Sequence, residues 1–245
     1  MHSILRWTGL YLTSKFGLFR CTSFLALLAL ATVLTAQPPQ KWSVDSVLAL
    51  MDSSARDFHT LSASIEHIKY TAVVDDTSKE SGQIWIRKKD ERMRIEFSKP
   101  STRTILRSGE SLFLYNPKIN RVEEYNLTKY HSLVDQYVLL GFGTRSENVK
   151  KSYLVAFNGE QDFDGKKTVI LELTPKSDDV RSQISKVQIW VDESSWLPVQ
   201  QKFFEAGSAD YLVFHYSDMK KNLKIEDSKF KPDWPKNATK VKPRG

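Results

Sequence analysis

SGQIWIRKKDERMRIEFSKPSTRTILRSGESLFLYNP, residues 81–117, alternates apolar and polar side chains and is interrupted by turn residues. Ile84 and Ile86 oppose Trp85 and Arg87, while Met93, Ile95 and Phe97 oppose Arg92, Arg94 and Glu96. Successive side chains of a strand point to opposite faces, so this period of two predicts half-buried antiparallel strands. Pro100 and the Ser108–Gly109 pair bound a third strand, Thr104–Arg107, and separate it from a fourth, Ser111–Tyr115; Asn116–Pro117 then forces a turn. Four strands follow one another as a meander.

Upstream of this block, Val44, Val47, Leu48, Met51, Ala55 and Phe58 recur at helical spacing, with Ser43 or Asp45 placed to cap the start. Leu61 to Val74 alternates loosely and predicts the first strand, with Asp75–Glu80 as a charged turn. Downstream, Arg121–Tyr125 continues the sheet. The period then changes: Tyr130, Leu133, Val134, Tyr137, Val138 and Leu140 form one apolar stripe that predicts a second helix over 127–140, ended by Gly141 and Gly143. Five more strands are expected at Tyr153–Phe157, Thr168–Thr174, Ser185–Val191, Pro198–Glu205 and Tyr211–Tyr216, and the tail from Phe230 folds back only in part. About ten or eleven short strands, two or three helices and no βαβ rhythm predict an α+β, mainly antiparallel fold: one strongly curved sheet. An unclosed barrel of this kind needs something apolar over its concave face, and the helices are the candidates.

The first 36 residues hold Arg6, Lys15 and Arg20 but no acid, and an apolar run from Phe24 to Leu34 ends at Thr35–Ala36–Gln37. This pattern is that of a secretory signal, 1–36, cleaved after Ala36, with Ala29–Leu30–Ala31 as the alternative site. The apolar stretch is shorter than the roughly 20 residues a spanning helix needs. Cys21, the single cysteine, precedes the apolar run and so cannot be the acylated cysteine of a lipoprotein; the mature chain, 37–245, would be a single soluble domain without disulfides. The 245 residues carry a formal charge of +7, of which three positive charges lie in the leader. That weak basic bias, without a basic stripe interleaved with aromatics, excludes nucleic acid as the partner.

The order of the pieces, Gly82 and Trp85, a basic pair, an alternating strand with Phe97, Pro100, then Ser108–Gly109 and Leu112–Pro117, resembles the periplasmic lipoprotein carrier family LolA. The likeness runs through most of the mature chain: Asp57–Thr60 is similar to the family's Phe-His-Ala junction, and Leu173–Lys176 to its Leu-Thr-Pro-Lys. Lys186–Phe204, with its paired glutamines, fits a later hairpin, and Phe230–Pro232 the final Phe-Thr-Phe-Pro stretch. The resemblance implies an unclosed barrel that shelters the acyl chains of lipoproteins. It implies transfer from an inner-membrane lipoprotein-releasing ABC transporter to an outer-membrane acceptor, by a monomer that is not an enzyme and holds no cofactor or metal. The acyl-chain cavity would be lined by Trp85, Met93, Ile95, Phe97, Leu112, Leu114, Val187, Ile189 and Trp190, and the lid helix would carry Leu133, Val134, Tyr137 and Leu140. The family's lid-fastening arginine falls on Lys88, with Arg87 one residue earlier, and Lys89–Asp90 stand where the family has proline. A one-residue slip in a strand sends a side chain to the opposite face, so the latch is Lys88 or Arg87.

Alternation reports only which face is apolar, so each cavity candidate either lines a lipid site or fills a core. Trp85 and Trp190 stand one step out of phase with their isoleucine neighbours, as in a sheet apolar on both faces. His59, His67, His131 and His215 lack metal spacing, Gly141–Phe142–Gly143 follows a helix rather than a strand, and no Gly-x-Ser-x-Gly serine is present. Two other functions fit the same fold: a carrier of free lipid or glycolipid, and a lipoprotein-sensing interaction module.

Overall fold

The alternating block forms four consecutive strands in a computed structural model that describes residues 41–127 and 140–243. They are β2 (Asp76–Arg87), β3 (Arg92–Lys99), β4 (Arg103–Ser108) and β5 (Ser111–Asn116), preceded by β1 (Thr60–Thr71) and followed by β6 (Arg121–Asn126). Their register sets Ile84 opposite Ile95, Ile95 opposite Ile105 and Ile105 opposite Leu114, so one apolar row crosses four strands on one face. Cross-strand neighbours of this kind are the unit of sheet stability. Three of the hairpins turn through a short 3₁₀ segment closed by a left-handed residue, Asp75, Glu91 or Asn120. Asp and Asn enter that region at lower cost than most residues.

The second half of the sheet comprises β7 (Tyr153–Phe163), β8 (Lys166–Pro175), β9 (Ile184–Asp192), β10 (Pro198–Glu205) and β11 (Tyr211–Lys221), with β12 (Thr239–Val241) returning at the end. The order is β12-β6-β5-β4-β3-β2-β1-β11-β10-β9-β8-β7, antiparallel throughout except for the parallel β12–β6 pair. Two meanders are thus joined by the β1–β11 pairing into one sheet that does not close, with β7 at one end and the short β12 at the other.

Among the described residues, twelve strands exceed the ten or eleven expected, and the extra length lies where the pattern is silent. Asp76–Glu80, expected as a charged turn, belongs to β2 and pairs residue by residue with β1, Thr71 opposite Asp76 and His67 opposite Glu80. β7 runs past Phe157 through a bulge at Asn158–Gly159 to Phe163. Where both faces of a strand end are wet, the backbone ladder persists without an apolar alternation to report it. The tail also does more than expected. Phe230 is buried, Trp234 packs against Phe113 and Tyr115, and β12 covers part of the edge of β6.

Helix α1 (Val44–Arg56) is where the spacing places it. Its cap is Ser43, in a reciprocal box with Ser46, while Asp45 pairs with Lys150 instead. Two short helices, α2 (Ser146–Ser152) and α3 (Asp178–Arg181), were not anticipated. Asp52 of α1 accepts from the Ser146 amide at 2.7 Å, a carboxylate placed at the positive end of α2. The signal 1–36 and most of the predicted second helix, with Leu133, Val134 and Tyr137, lie outside the described residues; the described residues belong to one compact unit, Gln40–Gly245.

Gly82 marks a close approach of two backbones. A Cβ built there would lie 1.9 Å from the Glu96 carbonyl oxygen and 2.8 Å from the Phe97 Cα. Neither atom can swing away as a side chain tip would. Gly82→Ala is expected to destabilise the protein by about 1–3 kcal/mol or more in urea unfolding, against less than about 0.5 kcal/mol for Ser81→Ala.

Candidate functional site

The concave face of the sheet is apolar from β5 round to β8. Met93, Ile95 and Phe97 on β3, Leu112 on β5, and Val187 and Ile189 on β9 all belong to one buried cluster, with Leu114 packed against it. Six of the nine residues proposed for the cavity are therefore brought together and a seventh joins them. Trp85 and Trp190 are not with them. Ile84 and Ile86 occupy the concave cluster, so the alternation turns Trp85 outward, where it lines a groove with Arg94 and Glu96 and carries the Lys229 ammonium 3.8 Å over its ring. Trp190 packs with Ile170 and Val199 in a separate small cluster and donates to Gln161 at 2.8 Å. Both tryptophans serve the outer face.

Among the described residues, α1 and Leu140–Gly143 pack against the concave face, with Val149 of α2 in the same cluster. Helix α1 buries Val47, Leu48 and Met51 against it. Beside the helix lies Leu140–Gly143, of which Leu140 and Phe142 are 5% exposed. The Phe142 ring stands edge-on to Tyr216 at 4.9 Å and 84°, and it faces Phe58 at 6.5 Å. Gly141 and Gly143 have φ of +87° and +77°. A Cβ on Gly141 would come within 2.7 Å of Pro198, and one on Gly143 within 3.3 Å of the Phe58 ring and 3.4 Å of the Lys88 stem. The segment lies this low only because it has no side chain at those two positions.

The cover is held by hydrogen bonds to main-chain carbonyls. Lys88 Nζ donates to the Ala55 carbonyl at 2.7 Å, adding to the longer bond from the Phe58 amide and placing a cation at the negative end of the helix. Gln201 Nε2 donates to the Leu140 carbonyl, and Tyr216 Oη donates to Gln201 Oε1 at 2.8 Å. Gln201 and Tyr216 are 0% and 1% exposed. Burial pushes the Tyr216 phenol well above its ordinary value, so it stays protonated as a donor.

Of the two latch candidates, Lys88 reaches α1 and Arg87 does not. Arg87 points to the outer face, where it forms a two-pronged pair with Asp90 at 2.9 and 2.7 Å and a pair with Asp227 at 2.5 Å, and it stacks on Phe230 at 4.7 Å. The adjacent positions diverge because β2 ends between them, Arg87 as its last residue and Lys88 as the first of the 3₁₀ turn. Arg94, buried on the same outer face, binds Asp233, Glu96 and the Lys231 carbonyl, so two arginines clamp the chain that follows β11.

Towards the β1–β2 hairpin tip the apolar face ends in a charged network. His67 Nδ1 lies 3.0 Å from Glu80, which Arg103 grips with two nitrogens, and the imidazole stacks on Phe214 at 4.9 Å. Burial lowers the His67 pKa. Burial also acts to raise Glu80, but the hydrogen bonds from Arg103 and His67 outweigh it and hold Glu80 below its usual range. This rim, the Gln201–Tyr216 pair and the Phe142 segment escaped the sequence reading. The rim was legible by carrying the alternation on to His67 and Glu80; Gln200–Gln201 stood out only as a matched pair, with nothing to indicate which glutamine faces inward.

A family model described as "Uncharacterized protein" matches residues 89–229, more than half of the chain. An uncharacterized protein of Methanocaldococcus jannaschii is 24% identical over 127 residues, 52% of this chain and 34% of that protein, so the match spans about a third of the relative's length. Among solved structures, an uncharacterized conserved protein from Thermus thermophilus is similar with a TM-score of 0.54 at 9% identity, over 81% of this chain and 99% of that one, which shows a shared fold. A LolA superfamily protein from Nitrosomonas europaea is similar with a TM-score of 0.41 at 17% identity, over 78% and 99%. The unclosed sheet with helices over one face is the half-barrel architecture that the sequence reading expected.

Lys88→Ala is expected to lower stability by about 0.5–1.5 kcal/mol and to speed hydrogen exchange at α1 amides while β2 and β3 keep theirs; unchanged exchange in α1 would show that the contact holds nothing. The outer clamp has a pH signature. Arg87 holds the Asp90 and Asp227 carboxyls below their ordinary range. Their folded values lie under the unfolded ones, so the clamp contributes fully above the unfolded aspartate value of about 4 and fails as pH falls through the depressed values. Below that range, amide exchange over 223–234 is expected to rise before that of the sheet.

Proposed function

We propose that this chain, which belongs to the uncharacterized family matched over residues 89–229, is a non-catalytic carrier that shelters acyl chains, with lipid-modified proteins of the periplasm as its cargo. The observation that supports this most is the concave apolar interior covered by parts of the same chain, α1 and Leu140–Gly143, rather than by a second sheet. A closed barrel needs no such cover, whereas an open one covered by separate segments of its own chain can exchange them for a ligand.

Energetics favour a binding site that is shared with a self-ligand. At about 0.8 kcal/mol per methylene, one 16-carbon chain released into water costs on the order of 12 kcal/mol. A permanently open pocket of that strength would bind cargo and keep it. Leu140 and Phe142, buried on the same apolar surface, compete for it and keep transfer reversible. On this reading Lys88 is the latch of α1, and the cavity is lined by Met93, Ile95, Phe97, Leu112, Leu114, Val187 and Ile189. The donor is the inner-membrane lipoprotein-releasing transporter, and the acceptor lies in the outer membrane.

Native mass spectrometry of protein purified from its own compartment tests the reading. Adducts with the mass of an acylated protein are expected. Free lipid or glycolipid alone would move the cargo to those molecules, and a protein recovered empty that also fails to take up added acyl-peptide would end the carrier reading.

A further inference from the structure

Gln201 is a buried amide in a row of hydrocarbon. Its cross-strand neighbours are Ile189 on β9 and Phe214 on β11, both members of the concave cluster. The orientation of the amide follows from its partners. A main-chain carbonyl can only accept, so the Leu140 oxygen requires Nε2, which leaves Oε1 for the Tyr216 hydroxyl to donate to. Tyr216, itself wedged by Phe142, thereby aims the Gln201 NH₂ group at whatever occupies the apolar face.

The present occupant has a definite chemical outline. Leu140 offers one amide carbonyl to Gln201, and the buried Leu140 and Phe142 side chains continue from it as hydrocarbon. A carbonyl joined to an apolar chain is also the outline of an acyl ester or amide. If cargo displaces Leu140–Gly143, a hydrocarbon without an acceptor leaves the Gln201 donor unpaired in an apolar interior. Such a site rejects ligands that lack the matching group.

We propose that Gln201, oriented by Tyr216, is the binding point for the carbonyl of a carried acyl group, so that the site selects acyl esters and amides over ether-linked or plain alkyl chains. The inference rests on the carrier reading and adds its chemical selectivity.

Two probes that differ only in the carbonyl test it: 1-palmitoyl-lysophosphatidylcholine and 1-O-hexadecyl-lysophosphatidylcholine, titrated below micelle formation and followed by tryptophan fluorescence and calorimetry. The unaltered protein is expected to bind the acyl probe about tenfold or more tighter than the ether. Gln201→Leu is expected to bring the ratio close to one, mainly by loss of acyl-probe affinity. Tyr216→Phe keeps the ring and removes only the hydroxyl; it is expected to reduce the ratio several-fold and carries the test alone if Gln201→Leu does not fold. Binding of both probes with equal affinity by the unaltered protein would overturn the carbonyl inference and leave the carrier standing, as would a preference that survives both substitutions. Binding of neither probe would overturn the carrier reading and this inference together.

Discussion

The concave face of the curved sheet has to be kept from water, and the rest of the molecule is arranged around that requirement. The residues that form it, from Met93 and Ile95 on β3 to Val187 and Ile189 on β9, are almost wholly inaccessible. An open sheet offers no second wall to meet them. Helix α1 and the Leu140–Gly143 segment supply the missing wall from the same chain. That wall is made of separate segments, so on the carrier reading it is what a ligand would replace, which the interior of a closed barrel does not allow.

The attachments have a common form. Lys88 takes the Ala55 carbonyl and Gln201 takes the Leu140 carbonyl, so both read main-chain oxygen rather than a particular side chain. Their surroundings differ. Lys88 is solvent-accessible at the end of α1, where water can replace the bond at little cost, whereas Gln201 is fully buried and has no such substitute. The first contact therefore sets the position of a helix, and the second makes a chemical demand on the occupant of the interior.

The outer face is built by opposite means. Arg87 and Arg94, both buried, draw in Asp90, Asp227 and Asp233, and the chain after β11 is strapped across β2 and β3 with Phe230 beneath Arg87. Paired arginines and stacked aromatics give this face a fixed covering, and β12 extends it to the edge of β6, where an unpaired strand would invite other chains. The molecule thus has one face strapped chiefly by ion pairs and one covered by apolar side chains with hydrogen bonds to main-chain oxygen.

Much of the fold was legible in residues 81–117, because an alternation of Ile, Met and Phe with Arg and Glu has one structural solution, a strand with one dry face. Helix α1 was legible for the same reason at a period of about 3.6. The pattern failed where neither face is dry, at Asp76–Lys79 and the far half of β7, since backbone pairing there leaves no mark on side chain choice. For the site, the sequence determined which residues are apolar and left Lys88 with Arg87 as its neighbouring alternative. Only the tertiary structure set Lys88 on the Ala55 carbonyl and turned Arg87 to Asp90 and Asp227, because the direction of a side chain at a strand end depends on where the strand stops. Only the tertiary structure, likewise, joined Gln201 to Tyr216 and Leu140: their contact is a meeting of segments far apart in the chain, and a buried polar group carries no period to announce its partner.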